Sequence, residues 1–470
     1  MKVEQIYTGC IAHAAYYIEN NGEAAIFDPL REVQPYIDRA TKDNAKIKYV
    51  FETHFHADFV SGHLDLKAKT GAEIVFGPNG KPTYDAITAT DGQIFEIGNY
   101  KIKVIHTPGH TMESTTYLLI DENGKEHGII TGDTLFIGDV GRPDLAQHVI
   151  ADLTQDKLAR HLYHSLREKI MPLRDELIVY PNHGAGSACG KNMSKETTDT
   201  LGNQKKVNYA LQPMTEDEFV DAILTGLTRP PGYFPKNVLM NIQGYESLDD
   251  VKERAYKALN AEEFEAVANE TSALILDTRK ASDFAKGFIP NSVNIGLEGS
   301  FAQWVGELII DIKQEILLVT DEGKEDEAIT RLARVGYDHA IGFLQGGFAT
   351  WVASSKEIDT VSRINANDYE QQFHTQKDII IDVRKKSEFD SEHLEHAINI
   401  PLNQLNERLA EIPKDKSFTI HCAGGYRSMI AASMVKQRGY ENFVDVIEGF
   451  AGLAKTNVPK TNYVCPSTLL

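Results

Sequence analysis

Two histidines and an aspartate stand at alternating positions in the short stretch 53–63. His54, His56 and Asp58 follow the apolar run 47–51, which predicts a buried strand that ends where the stretch begins. Alternating side chains at such a strand end can all point into one cavity. Neutral imidazole and carboxylate groups together suit borderline divalent metals. The stretch therefore predicts a metal site.

Three later segments each add a metal-ligating side chain after an apolar run. His110 ends a Thr-Pro-Gly-His turn, Asp133 ends Thr-Gly-Asp, and His183 lies in Pro-Asn-His-Gly. Any one of these histidines could be structural. That interpretation weakens for the set, because eleven of the sixteen histidines precede residue 190. Two histidines and one carboxylate with open coordination positions suit non-haem Fe(II) and oxygen chemistry.

These segments resemble, in order and spacing, the motifs of the metallo-β-lactamase superfamily, beginning with its H-x-H-x-D-H signature. One position departs from the signature. Phe59 stands where the family's dinuclear zinc hydrolases carry a second-metal histidine. The departure favours one metal ion over two.

The resemblance implies an α/β fold, an αββα sandwich, over residues 1–245. It also implies one Fe(II) per chain, although the same ligands could hold zinc in the purified protein. The implied iron ligands are His54, His110 and Asp133. The implied orienting or proton-moving groups beside them are His56, Asp58 and His183.

Length and charge limit the function further. A chain of 470 residues should contain two to four domains. A formal charge of −20 argues against nucleic acid or an anionic membrane as a partner. No apolar run approaches the roughly 20 residues needed to span a bilayer, and the N-terminus lacks an apolar signal core. Four cysteines suggest a reducing compartment, so we expect a cytoplasmic protein.

A helical region is predicted over 194–227, with Thr215 at a helix N-cap and Glu218 at the reciprocal capping position. The Pro- and Gly-containing segment 230–235 then interrupts regular structure. In the metallo-β-lactamase superfamily such an appended helical region often forms one wall of the substrate pocket.

An internal repeat follows. The segment 274–279, a strand pattern ending in Asp-Thr-Arg, is echoed by 379–384, which ends in Asp-Val-Arg. Downstream of each segment an Asn-Ile pair recurs, at 294–295 and 399–400, and so does a Gly-Phe pair, at 347–348 and 449–450. The pattern resembles the rhodanese domain. It predicts two rhodanese-like α/β domains, a first copy at 259–357 and a second copy at 364–460.

The second copy contains a loop suited to sulfur chemistry. Cys422 lies between a predicted strand and a predicted helix, where backbone N–H groups and the helix dipole lower a thiol pKa and hold an anion. Four residues separate Cys422 from Arg427, the rhodanese spacing, whereas cysteine phosphatases have five. A buried structural cysteine would explain neither the glycines nor the arginine. The loop residues expected to bind the anionic sulfur group are Ala423, Gly424, Gly425 and Tyr426, with Cys422 and Arg427 as catalytic groups.

The first copy lacks this nucleophile. Depending on a one-residue gap, Val319 or Thr320 takes the place of the cysteine. We expect this copy to be inert in sulfur transfer and to serve as a spacer, a dimer surface or a docking platform. A homo-oligomer is compatible with that expectation.

Two further residues have more than one interpretation. Arg142 matches a basic residue of the superfamily and is predicted to bind an anionic thiol carrier, with a salt bridge as the alternative. Cys189, shortly after His183, is either structural or part of a sulfur relay to Cys422.

The combined domains resemble bacterial fusions of a persulfide dioxygenase with rhodanese domains. That resemblance implies oxidation of a low-molecular-weight thiol persulfide by O2 to thiol and sulfite, coupled to sulfur transfer that forms or consumes thiosulfate. The alternative is a metal-dependent thioester hydrolase similar to glyoxalase II. A redox sensor or sulfur carrier with a vestigial metal site is a third hypothesis. The thiol carrier (glutathione, coenzyme A or bacillithiol) and the direction of sulfur flow stay open.

Overall fold

The computed structural model describes residues 1–145, 153–373 and 379–465. The chain divides into two compact units. The first comprises Met1–Asp250 with Leu332–Gly336, and the second comprises Val251–Arg331 with Tyr337–Leu470. Each unit is described separately.

The first unit contains two six-stranded sheets, in the orders β1-β2-β3-β4-β5-β6 and β12-β11-β10-β9-β8-β7. The strands are β1 Val3–Thr8, β2 His13–Asn20, β3 Glu23–Phe27, β4 Lys46–Glu52, β5 Glu73–Phe76, β6 Ile87–Thr88, β7 Ile94–Ile97, β8 Tyr100–His106, β9 Thr115–Ile120, β10 Glu126–Gly132, β11 Ile178–Pro181 and β12 Asp199–Thr200. The helices are α1 Gln34–Lys42, α2 His63–Thr70, α3 Gln155–His164, α4 Leu201–Val207, α5 Glu216–Leu224, α6 Phe234–Gln243 and, at the division between the units, α7 Leu248–Ala255. A π-helical turn, Ser165–Ile170, follows α3, and a 3-10 turn, Tyr209–Leu211, follows α4.

The two sheets share one apolar core. Phe27 and Phe51 from the first sheet meet Tyr117 and Ile130 from the second, and all four are fully buried. Two further apolar clusters pack helices against the outer faces, one of them containing residues of α3 and α5 and the other residues of α1. The layers are helix, sheet, sheet, helix, which confirms the predicted αββα sandwich.

In both sheets of the first unit, parallel pairing brings the strand ends that precede the candidate site residues to the same edge of the sheet. In the first sheet β3 pairs parallel with β4, so Asp28 and the stretch 53–63 leave neighbouring strand ends. In the second sheet β10 pairs parallel with β11, which places Asp133 and His183 after neighbouring strands. Functional side chains collect at such carboxyl ends of parallel strands.

The second unit contains two five-stranded parallel sheets, in the orders β13-β17-β16-β14-β15 and β18-β22-β21-β19-β20. The strands are β13 Ala258–Leu259, β14 Leu274–Asp277, β15 Val293–Asn294, β16 Ile316–Val319, β17 Ala340–Leu344, β18 Arg363–Ile364, β19 Ile379–Asp382, β20 Ile398–Asn399, β21 Phe418–His421 and β22 Phe443–Val446. The helices are α8 Ala261–Thr271, α9 Ala281–Lys286, α10 Phe301–Leu308, α11 Glu325–Arg334, α12 Gly347–Ala353, α13 Ala366–Phe373, α14 Lys386–Ser391, α15 Leu405–Arg408, α16 Tyr426–Gln437 and α17 Gly449–Leu453. Two 3-10 turns, Leu402–Gln404 and Leu409–Glu411, flank α15. The two sheets have the same strand order, as expected for a repeat.

The repeated Asp-x-Arg motif has the same structural role in both copies. Arg279 Nη2 pairs with Asp277 Oδ2 at 2.5 Å, and Arg384 Nη2 pairs with Asp382 Oδ2 at 2.6 Å. All four side chains are buried. A buried charge needs a partner with good hydrogen-bond geometry. In each copy the Arg supplies that partner for the buried Asp at the end of a strand.

Among the described residues, no helix has both the length and the apolar character required to cross a bilayer. The predicted domain limits of 245, 259–357 and 364–460 stay a prediction.

The predicted capping box at the start of α5 is confirmed. Thr215 Oγ1 accepts a hydrogen bond from the Glu218 backbone N–H at 3.3 Å, and Glu218 Oε2 accepts one from the Thr215 N–H at 2.7 Å. The helix buries Phe219 and Ile223 against the core of the first unit. The cap therefore fixes the start of a helix that covers one sheet.

Replacing Thr215 with Ala should lower the free energy of unfolding of the first unit by about 1 kcal/mol, because the N-terminal N–H groups of α5 lose their acceptor. Urea unfolding followed by fluorescence measures the change. Thr225→Ala, at the exposed C-cap of the same helix, is the matched control and should change it by less than half as much. Equal effects of the two variants would contradict a capping role for Thr215.

Candidate metal centre and cysteine loop

Three buried side chains from three strand ends form a compact group in the first unit. His54 follows β4, His110 follows β8 and Asp133 follows β10. Their candidate ligand atoms all lie within 4.8 Å of one another. The Asp133 carboxylate atom Oδ2 is 3.9 Å from His54 Nε2 and 3.4 Å from His110 Nε2. The structure thus brings together the three residues predicted as metal ligands.

Hydrogen bonds on the far side of each imidazole ring fix its orientation. His54 Nδ1 bonds to Thr53 Oγ1 at 2.9 Å, and His110 Nδ1 donates to the Arg142 carbonyl at 2.9 Å. The Arg142 carbonyl requires a proton on His110 Nδ1 and so leaves His110 Nε2 free to ligate, while Thr53 holds the His54 ring in place. Burial also lowers the pKa of His54 well below its usual value, with a further contribution from the nearby His56. The ring is therefore neutral, as a ligand must be.

Asp133 has no hydrogen-bond partner for either carboxylate oxygen within the described residues, although only 2% of the residue is exposed. An isolated buried carboxylate is costly unless it is paired or bound to a cation. The site therefore fits a divalent cation, held by Asp133 together with the two imidazoles.

His56 belongs to a different group, although it lies only two positions from His54. His56 Nε2 is 3.0 Å from Asp28 Oδ1 and 3.3 Å from Glu52 Oε2. Burial opposes the charged form, but the two carboxylates outweigh it and hold the pKa of His56 well above its usual value. The Nε2 atom of His56 is consequently engaged with carboxylates, and His56 is not one of the three residues of the compact group, which are His54, His110 and Asp133.

Phe59 occupies the space next to His56. The Phe59 side chain is fully buried, and its ring stacks on His56 at 4.3 Å between centroids and contacts His13 at 4.3 Å. An aromatic hydrocarbon offers no metal ligand. It instead closes one side of the His56 ring with apolar surface.

Asp58 and His183 lie on another side of Asp133. His183 Nε2 is 3.5 Å from Asp58 Oδ2 and 3.6 Å from Asp133 Oδ1. His183 Nδ1 donates to the Ala12 carbonyl at 3.1 Å, which leaves Nε2 as a proton acceptor facing the carboxylates. The two residues therefore lie beside the group formed by His54, His110 and Asp133, as the sequence analysis predicts.

Cys189 joins Asp58 and His183 in a second cluster, with candidate ligand atoms within 4.8 Å of one another. Cys189 is buried, and burial together with the Asp58 and Asp133 carboxylates raises the pKa of its thiol well above the usual value. A thiol in such surroundings is a poor nucleophile, which favours the structural interpretation of Cys189 over the relay.

Arg142 is buried, and its charge is satisfied inside the fold. Arg142 Nε and Nη2 donate to the two carboxylate oxygens of Asp144, each at 2.7 Å. Its carbonyl accepts from His110, and its backbone N–H donates to the Cys189 carbonyl at 3.0 Å. These contacts favour a positioning role for Arg142 at His110. Its predicted contact with a thiol carrier stays a prediction.

Sequence reasoning did not identify Asp28 and Glu52 as the partners of His56. Glu52 is the last residue of β4, and Asp28 follows β3 in a left-handed backbone conformation with φ 48°. Asp28 ends an apolar run, which is the signal that marked the predicted ligands. That signal could have identified Asp28, whereas nothing distinguished Glu52.

In the second unit, Cys422 directly follows β21 and opens the turn into α16, as predicted. The Gly425 N–H donates to Cys422 Sγ at 3.2 Å, and Cys422 is 1% exposed. Gly425 has φ 90°, and a Cβ there would lie 2.3 Å from the Ile447 carbonyl oxygen. Only glycine fits this position without moving the backbone. The turn therefore aims one N–H at the sulfur.

Arg427 lies in the first turn of α16, where Nη1 and Nη2 donate to the two oxygens of Glu388 at 2.6 and 2.8 Å. Burial disfavours the Arg427 cation, and the Glu388 carboxylate overcomes this and raises its pKa. The positive charge predicted beside Cys422 is thus paired with Glu388. Its role toward an anionic sulfur group stays a prediction.

Sheet register decides which residue of the first copy corresponds to Cys422. Asp277 pairs with Val319 in the first copy, and Asp382 pairs with His421 in the second. Thr320 therefore corresponds to Cys422, which resolves the alternative left open by the sequence. Thr320 is 1% exposed.

Comparisons with known proteins agree with this architecture. The family model "Metallo-beta-lactamase superfamily" matches residues 8–183, and "Rhodanese-like domain" matches 260–354 and 365–456. A crystal structure of a metallo-beta-lactamase from Staphylococcus aureus superposes with a TM-score of 0.64 at 30% identity, covering 73% of this chain and 98% of that chain.

Two curated relatives match the first unit. A hydroxyacylglutathione hydrolase of Rhizobium etli is 36% identical over 169 residues, which cover 35% of this chain and 58% of the relative. The human mitochondrial persulfide dioxygenase ETHE1 is 30% identical over 163 residues, covering 34% of this chain and 59% of the relative. The chain thus spans somewhat more than half the length of each. Taken with the αββα sandwich and the repeated parallel sheets, these matches show that the chain belongs to the metallo-β-lactamase superfamily and carries two rhodanese-like domains after its metal-binding domain.

Proposed function

We propose that this protein oxidises low-molecular-weight thiol persulfides with O2 at one Fe(II) and transfers sulfur at Cys422. In the first reaction a persulfide R–S–SH, one O2 and one water give the thiol R–SH and sulfurous acid, which ionises to sulfite. The outer sulfur is oxidised and O2 is reduced. In the second reaction a sulfane sulfur joins sulfite to give thiosulfate, or the reverse.

The observation that best supports the proposed reaction at the metal is that the buried histidines fall into separate groups. His54, His110 and Asp133 form one compact group, His183 lies in a neighbouring group with Asp58, and His56 Nε2 is held by Asp28 and Glu52. Two histidines and one carboxylate form the ligand set of non-haem Fe(II) oxygenases, with positions left for substrate and O2. Iron in this site would supply electron exchange with dioxygen, which zinc lacks.

Two residues beside the proposed metal ligands, His183 and Asp58, can accept and stabilise the proton of the substrate. His183 donates through Nδ1 to Ala12, so Nε2 is its unprotonated atom and faces Asp58. An incoming persulfide can transfer its S–H proton to His183 Nε2, and Asp58 stabilises the resulting imidazolium.

Cys422 accounts for the sulfur transfer. The Gly425 N–H stabilises a thiolate at Sγ, and that thiolate attacks the outer sulfur of a persulfide. The old S–S bond breaks, R–S⁻ leaves, and a persulfide forms on Cys422 without net oxidation. Sulfite then takes the outer sulfur as thiosulfate and regenerates the thiolate. The first copy, with Thr320 at this position, has no thiol there that could carry the sulfur.

The comparisons do not distinguish persulfide oxidation from thioester hydrolysis at the metal domain. The human persulfide dioxygenase is similar over the metal domain, and so is the Rhizobium etli hydroxyacylglutathione hydrolase at higher identity. Thioester hydrolysis is therefore the second candidate. Phe59 argues against it, because a fully buried phenyl ring contributes no ligand for a dinuclear water-activating site. The rhodanese-like domains would also have no evident use in a hydrolase.

Replacing His110 with Ala should abolish persulfide-dependent O2 uptake and weaken Fe(II) binding at least about tenfold, because one of the two imidazole ligands is lost. Metal content after dialysis and an oxygen electrode measure both effects. His164→Ala, which removes an exposed histidine paired with Glu168, is the control and should retain metal and activity. Full O2 uptake by His110→Ala would contradict the proposed ligand set.

Replacing Cys422 with Ser should leave O2 uptake intact while sulfite accumulates in place of thiosulfate, since only sulfur transfer needs the thiol. Product analysis by ion chromatography measures the ratio. Cys465→Ser, at an exposed cysteine near the C-terminus, should keep the wild-type ratio. A collapse of O2 uptake in Cys422→Ser would show that the two reactions are not separable.

A further inference from the structure

Both rhodanese-like copies line one cavity at the Cys422 loop. The cavity has a volume of about 250 Å³. Its wall from the second copy consists of Arg363, Gly424, Gly425, Tyr426 and Ile447, and its wall from the first copy consists of Lys280, Ala281, Ser282, Gly296 and Glu298. The first copy, which lacks a nucleophile, thus supplies half of the residues that line this cavity beside the Cys422 loop.

Direct contacts fix the first copy against the cysteine loop. Tyr426 Oη, next to Gly425, donates to the Gly296 carbonyl at 2.8 Å. A Cβ on Gly299 would lie 2.9 Å from the Tyr426 ring, so the backbone of the first copy runs directly against that ring. The Asn294 N–H also donates to Ser433 Oγ at 2.9 Å. The two walls of the cavity are therefore held in register.

Two cations face the cavity. Lys280 Nζ is paired with Glu298 Oε1 at 2.9 Å, but these side chains are 55% and 72% exposed. An exposed pair of this kind contributes little and can open at low cost. Arg363 pairs through Nε with the buried Asp445 at 2.8 Å, and its Nη2 would lie 3.5 Å from a Cβ placed on Gly425. One cation therefore comes from each copy, on either side of the loop.

We propose that the first copy forms the recognition wall of the sulfur-transfer pocket, and that the pocket takes a small thiol or its persulfide bearing a carboxylate, bound between Lys280 and Arg363. This inference rests on the proposed sulfur transfer at Cys422. A cavity of about 250 Å³ has room for the thiol end and carboxylate of a small thiol of amino-acid or small-peptide size. Glu298 competes with the ligand carboxylate for Lys280 and disfavours anions when Lys280 is absent.

The test compares two acceptor thiols that differ in charge, β-mercaptopropionate and β-mercaptoethanol, with sulfur supplied by thiosulfate to the full chain. The readout is the ratio of their KM values. Lys280→Ala should raise the ratio of the KM for mercaptopropionate to the KM for mercaptoethanol about two- to fivefold, because the carboxylate loses a cation and Glu298 then repels it. Glu298→Gln should lower the ratio, because Lys280 becomes free to bind the carboxylate.

The matched control is Lys324→Ala. Lys324 lies in the same copy, is 54% exposed and pairs with Glu327 at 2.8 Å, but it does not line the cavity. It should leave the ratio at the wild-type value. A ratio that Lys280→Ala and Glu298→Gln leave unchanged, or that they shift in the same direction, would overturn the inference.

A binding measurement separates this inference from the proposed function. S-methylglutathione carries carboxylates and cannot accept sulfur, so its calorimetric titration into the full chain does not depend on transfer. Weaker binding to Lys280→Ala than to Lys324→Ala supports the recognition wall. Equal binding to the two variants, or none to the wild type, overturns it. Failure of the wild type to transfer sulfur to either thiol would count against the proposed function instead.

Discussion

One buried imidazole, held between two carboxylates, determines what the metal site of this protein can be. His56 lies within hydrogen-bond range of Asp28 and 3.3 Å from Glu52, and Phe59 stacks on its ring. Since burying these carboxylates without a partner would be costly, the Nε2 atom of His56 is held by them. His54, His110 and Asp133 form a separate compact group whose two imidazoles and one carboxylate suit a divalent cation, and His183 and Asp58 lie beside its Asp133. The proposed oxygen chemistry depends on this division.

The second unit depends on backbone geometry instead. A turn with Gly425 in a left-handed conformation brings an N–H to Cys422 Sγ, and the approach of Ile447 leaves no room for a side chain. The first copy has the same sheet but carries Thr320 in place of the cysteine. The Gly296 carbonyl of the first copy accepts a hydrogen bond from Tyr426, so the first copy lies beside the cysteine loop. A copy without chemistry of its own can then recognise substrate for its neighbour.

The sequence was sufficient for the fold and for finding strand-end residues that the structure brings together, such as His54, His110 and Asp133, because strand-end motifs are local and each motif marks one side chain. It did not reveal which imidazoles share a cavity. His54 and His56 are two positions apart, yet their partners, Asp133 and Asp28, come from different sheets. The same limit applies to Arg142, whose charge is satisfied by Asp144, and to Lys280, which reaches the Cys422 pocket from the other copy. Such pairings are tertiary contacts that no local pattern records.

The most direct test of the central claim is O2 uptake by the full chain reconstituted with Fe(II) and given glutathione persulfide, beside the same protein loaded with zinc. The proposed division of histidines predicts rapid uptake with sulfite or thiosulfate as product in the iron form, and none in the zinc form. No uptake by the iron form with any thiol persulfide, together with hydrolysis of hydroxyacylglutathione by the zinc form, would contradict the account and make the metal domain a thioester hydrolase.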